Sequence, residues 1–73
     1  KRDMAHGYPH GITPAEAAAL DALIRTGSPA RAAKARGVRQ ETQYQQQHSA
    51  ARRMGVDTTI AAAIVWDRWR RSQ

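Results

Sequence analysis

The sequence predicts an all-α fold, a single small domain of four helices that contains a helix-turn-helix. Three observations point there. A capping residue followed by proline occurs twice, at Thr13-Pro14 and Ser28-Pro29, and each pair opens a segment without strand-like alternation. Glycines at 27, 37 and 55 each close such a segment. Within Ser28–Val56, Ala33, Gly37 and Val38 stand where a helix-turn-helix needs them. A small residue lets two helices approach, a glycine makes the turn and an apolar residue packs beneath it.

Residues 1–11, KRDMAHGYPHG, carry two glycines, a proline and no helical period, and read as a flexible N-terminal arm ahead of a domain spanning 12–73. His6 and His10 lie in the arm without a carboxylate or cysteine partner of suitable spacing, so no metal site is expected. The first helix is expected over about 14–25. Thr13 caps it, Glu16 closes a capping box, and Ala17, Leu20, Leu23 and Ile24 form its apolar stripe. The second, about 29–36, has only Ala30, Ala32 and Ala33 on its apolar side, which suits close helix crossing, with Arg31, Lys34 and Arg36 around the rest. The third, about 40–54, has almost no large apolar residue and ends at Gly55-Val56, a left-handed cap followed by an apolar contact. Asp57 or Thr58 caps the fourth, about 58–71. On its wheel Ile60, Ala61 and Ile64 form one apolar face, and Ala62, Val65, Trp66 and Trp69 another.

Composition limits the core. The chain has 73 residues, no Phe, fifteen Ala and fifteen large apolar residues, so helices must pack closely through small side chains. A domain of this size leaves apolar surface incompletely covered, which makes self-association a source of added stability. Twelve Lys and Arg against six Asp and Glu give a net charge of +6, and most of the excess lies outside the first eleven residues. A basic surface favours polyanions, although charge also serves solubility alone. The absence of cysteine rules out disulfides and thiolate-bound zinc and fits a reducing compartment. No apolar run approaches a membrane span and no signal-peptide pattern is seen, so no membrane partner and a cytoplasmic location are expected. A start at Lys1 rather than Met is expected of a piece of a longer or processed chain.

From Ile12 to Ile64 the sequence resembles the LuxR/GerE-type DNA-binding domain of bacterial transcription regulators. That family opens on Leu-Thr with a Glu three residues after the Thr; here Ile12-Thr13-Pro14-Ala15-Glu16 and then Leu20 stand in that order. The family's Gly-Leu-Ser loop into an Ile-Ala helix is matched by Thr26-Gly27-Ser28 leading to Ala32-Ala33, with the glycine displaced by one position. Gly37-Val38 and Thr42 match the next segment, and Arg52-Arg53-Met54-Gly55-Val56 with Ala61–Ala63 match the family's Arg-Lys-Leu-Gly-Val ending and the helix after it. The resemblance covers about fifty of the 73 residues. The middle departs from the pattern: Gln43 and Gln46 replace a Val and a His that face the core or support the helix start, and Arg39 replaces a Ser cap.

The resemblance implies transcriptional regulation by sequence-specific binding of double-stranded DNA, with the third helix inserted in the major groove. By position it turns Tyr44, Gln45 and His48 toward base edges, and their chemistry suits the role. Gln pairs bidentately with adenine, His reaches guanine, and Tyr meets a thymine methyl or a phosphate. The alternative is a merely solvated polar face. Phosphate contacts are expected from Ser28 at a helix N-terminus and from Lys34, Arg39, Thr42 and Arg52 around the reading helix. Trp66 and Trp69 could fold back over the domain's own core. They are expected instead, with Ala62 and Val65, to form a homodimer interface, because Ile60 and Ile64 already fill the core-facing side; such a dimer suits two half-sites about one DNA turn apart. A second reading keeps the scaffold as a protein-interaction module that holds another transcription regulator through the Trp66/Trp69 helix, and the glutamine departures favour it. A third, a sigma-factor-like promoter binder, lacks the Arg-Met-Gly-Val ending. No enzyme and no cofactor are expected: the acids are scattered, Glu16 is accounted for as a cap, and there is no Gly-rich phosphate loop.

Overall fold

A computed structural model of the chain describes residues 7–73. Four α-helices follow one another: α1 (Pro14–Thr26), α2 (Pro29–Arg36), α3 (Gln40–Met54) and α4 (Thr59–Arg71). Among the described residues there is no strand. α1 is the hub and packs against each of the other three helices, while α3 also packs on α2 and α4.

The helix starts follow the local chemistry. The Thr13 hydroxyl accepts from the Glu16 amide at 3.1 Å, and Glu16 Oε1 accepts from the Thr13 amide at 2.9 Å, which completes the capping box. Ser28 caps α2 by accepting from the Arg31 amide, and Thr58, not Asp57, caps α4 by accepting from the Ala61 amide. α2 and α3 end alike. Gly37 and Gly55 sit at φ 71° and 72°, in the left-handed region that a side chain would strain. The next amide, of Val38 or Val56, then reaches back to the carbonyl of Ala33 or Ala51 at 3.0 Å. This closes the turn that follows each of the two helices.

The core is thin, as composition requires. Nine of the thirteen buried apolar residues are alanines; Leu20, Ile12, Met54 and Trp66 supply the bulk. Alanine at positions such as 19, 33, 50 and 62 lets the backbones approach closely, so contact area comes from proximity rather than from long side chains.

Two expectations are corrected. The sequence predicts a flexible arm over residues 1–11; residues 1–6, with His6, lie outside the described residues. Beyond them, Pro9–Gly11 form a short 3-10 turn, Ile12 is buried, and the Tyr8 ring packs against Trp66 and Trp69 at 5.5 and 5.8 Å between centroids. The larger correction concerns α4. Ile60 and Ile64 do not fill the core side but are 70 % and 50 % exposed. Ala62, Ala63 and Trp66 are buried there instead, with Val65 and Trp69 half-buried against the same core. The interface expected at Ala62, Val65, Trp66 and Trp69 is therefore occupied within the chain itself. The physical reason is area: an indole covers more apolar surface than an isoleucine, and the alanines beside it allow close approach. Trp66 also finds a partner for its N–H, which donates to Asp21 Oδ1 at 3.4 Å.

Candidate nucleic-acid interface

α3 shows two contrasting faces. Gln43, Gln47, Ala50, Ala51 and Met54 turn inward at helical spacing and are buried. Tyr44, Gln45, His48 and Arg52 turn outward and are exposed. Tyr44 and His48, one turn apart, stack their rings with centroids 6.4 Å apart and planes 20° from parallel. Tyr44, His48 and Arg52 thus form a continuous row along the helix, with Gln45 beside it. The three residues expected to face bases share one outward surface.

What holds that surface in place was not expected. Gln43 stands where an apolar side chain would ordinarily plug the core, yet it is fully buried and its amide is well partnered. Its nitrogen donates to the Ala19 carbonyl of α1 at 2.9 Å and to Gln47 Oε1 at 2.7 Å, and its oxygen accepts from Arg36 Nη1 of α2 at 2.6 Å. Both amide donors and one acceptor site are used, so the burial penalty of the polar group is offset. One side chain thereby bonds α1, α2 and α3 together. Gln47, not singled out by the sequence, completes the network at 1 % exposure. Gln46, at the other departure from the family pattern, is half-buried, and its Oε1 has no hydrogen-bond partner among the described residues. A second tie lies at the far end of α3: Arg53 pairs with the buried Glu16 of α1 at 3.1 Å.

The expected phosphate contacts divide. Lys34, Arg39 and Arg52 are exposed and make no ion pair with a described residue. Arg39 occupies the N-cap of α3 without a side-chain cap bond and is exposed. Thr42 and Ser28 are half-buried, and the Ser28 oxygen is engaged as the cap of α2. Arg31 was not anticipated as a contact. It lines a shallow groove with Lys34, Val38 and Gln40 where α2 meets the start of α3, one turn before Lys34 on the same face. That i,i+3 spacing was the signal in the sequence.

Charge pairing separates the two halves of the molecule. Asp21 and Asp67 pair with Arg25, Arg70 and Arg71 along the α1–α4 side. Over residues 29–54, six basic residues stand against the single acid Glu41. The excess positive charge of the described residues therefore lies on the segment that carries α2 and α3. Among those residues no group of three His, Asp or Glu could hold a metal ion. No helix among them is long and apolar enough to cross a membrane.

No protein-family model matches the chain, and comparison with curated proteins and with solved structures finds no match either.

Proposed function

We propose that the chain is a DNA-binding transcriptional regulator that reads sequence by inserting α3 in the major groove, as its resemblance to LuxR/GerE-type domains implies. The observation that carries this reading is the outward face of α3. Tyr44, Gln45 and His48 are exposed on α3, and Arg31 and Lys34 of α2, Arg39 at the N-cap of α3 and Arg52 of α3 are exposed and make no ion pair with a described residue. Fixed charges of that kind supply sequence-independent affinity for phosphates, while Gln and His supply hydrogen-bond readout of base edges. The buried Gln43 network supports the reading by giving the helix a defined angle despite its lack of large apolar residues. Such a regulator acts in the bacterial cytoplasm, and two half-sites would call for two copies of the chain.

Selection from a pool of randomised duplexes tests the proposal. The wild type is expected to enrich a motif, and a Gln45→Ala/His48→Ala variant is expected to lose it while keeping its helical circular-dichroism signal. Absence of enrichment by the wild type sinks the DNA reading. The protein-interaction alternative takes Trp66 and Trp69 as its contact; Trp66 is buried and Trp69 is half-buried against the same core, which favours the DNA reading over it.

A further inference from the structure

Of the four large apolar side chains exposed among the described residues, three (Ile24, Ile60 and Ile64) line one open groove of about 600 Å³ between the C-terminal turn of α1 and α4. Leu23 and Ala63 line it as well, and no residue of α3 does. Ile60 and Ile64, at 70 % and 50 % exposure, stand proud of the surface rather than closing over a pocket. In a chain so short of large apolar groups, a patch of this kind marks an interaction surface. The groove carries two charged residues. Asp67 pairs with Arg70 and Arg71, whereas Arg68 is exposed and makes no ion pair with a described residue. Ile60, Ile64 and Arg68 follow one another at four-residue intervals, so they form a single ridge along α4, apolar over two turns and basic at the third.

We infer that this groove receives an acidic amphipathic helix of another protein. Shape and charge together select that occupant. A small ligand lying in the groove leaves Ile60 standing in water. A helix laid beside α4 covers both isoleucines, because its own apolar residues, three and four apart, interdigitate with a ridge of helical period. Opposite Arg68 such a helix carries Asp or Glu. The ion-pair cluster beside the groove has the same sign: Arg25, Arg70 and Arg71 share only Asp21 and Asp67, so with Arg68 four arginines stand locally against two acids. Complementary charge of this kind fixes the register of the partner and excludes basic ones. A second copy of the chain does not supply the match. Pairing two α4 helices about a two-fold axis so that Ile60 meets Ile64 sets Asp57 against Asp67 and Arg68 against Val56, and a parallel pairing sets Arg68 against itself. The groove leaves the outer face of α3 uncovered, so the inference does not depend on what α3 binds.

Selection from a display library of randomised helical peptides, at near-physiological salt and with the wild-type chain as bait, tests it. Circular dichroism checks that each variant keeps its helices. The enriched peptides are expected to carry apolar residues at i, i+3 or i+4, and i+7, with Asp or Glu at one end of that stripe. An enriched peptide is expected to bind Ile64→Glu about tenfold or more weakly than wild type. Arg68→Glu is expected to weaken it by about fivefold, with affinity recovered when the facing acid of the peptide is changed to Lys. Tyr44→Ala, on α3, is expected to leave peptide affinity unchanged. No enrichment, an enriched motif without acids, or binding indifferent to Ile64→Glu overturns the inference. So does a wild-type chain that dimerises in sedimentation equilibrium unless Ile64→Glu is introduced, which gives the face to a second copy. Capture by phosphatidylglycerol vesicles that Ile64→Glu abolishes, with no peptide enriched, gives it to a lipid surface and overturns the inference equally.

Discussion

Gln43 is the residue on which the architecture turns. An amide buried without partners costs about 1–3 kcal/mol, but this one is bonded to three helices, so its removal unpairs groups on each of them. Gln43→Ala is expected to destabilise the fold by about 2–3 kcal/mol in urea unfolding, more than a surface substitution such as Gln45→Ala, which should stay within about 0.5 kcal/mol. Comparable losses for the two variants would mean that the network contributes nothing. The sequence marked position 43 as a departure from the family pattern but could not show the remedy. The partners lie on other helices, Ala19 being 24 residues away, and an Arg36–Gln43–Gln47 network leaves no periodic or compositional trace. The caps were legible for the opposite reason: Thr13 with Glu16, and Ser28 with Arg31, act over three residues. Thr13→Ala is accordingly expected to cost about 1 kcal/mol on the same unfolding measurement.

At the scale of elements, α4 is where sequence and structure part. Its wheel carries two apolar stripes, and a single sequence does not rank them. Counting isoleucines favours the Ile60/Ile64 stripe. Packing favours the other, because Ala62 and Ala63 admit a close crossing with α1 and α3, and Trp66 then brings a large ring under the Tyr8 side chain. The consequence is measurable. Trp66→Ala is expected to cost about 3–5 kcal/mol, as removal of a buried aromatic does, whereas Ile60→Ala should leave monomer stability nearly unchanged. A reversed order, measured at concentrations where the chain is monomeric, would contradict the assigned orientation of α4. α3 shows the complementary lesson. Its placement and ends were legible from Gly37 and Gly55. Which of its glutamines turn inward depended on neighbours that only the folded chain brings near.

For the whole molecule, the arrangement of charge matters more than its total. Asp21 and Asp67 of the α1–α4 side are engaged by nearby arginines, while residues 29–54 hold six basic residues against one acid, so the positive potential falls on the segment carrying α2 and α3. If Arg31, Lys34, Arg39 and Arg52 each neutralise one phosphate, log K should fall with log salt at a slope of about −3.6, and each alanine substitution should reduce that slope by about 1. Arg25→Ala, which removes a cation already paired with Asp21, should leave the slope unaltered. Two surfaces then divide the molecule, a charged one on α3 and an apolar one on α4. The most direct test of the central claim is backbone-amide chemical-shift mapping of the wild-type chain titrated with a duplex enriched from the random pool. The account predicts that the largest changes fall on Arg39–Arg52, centred on Tyr44, Gln45 and His48, with the amides around Ile60 and Ile64 unmoved by DNA. Changes centred on α4, with α3 undisturbed, would contradict it.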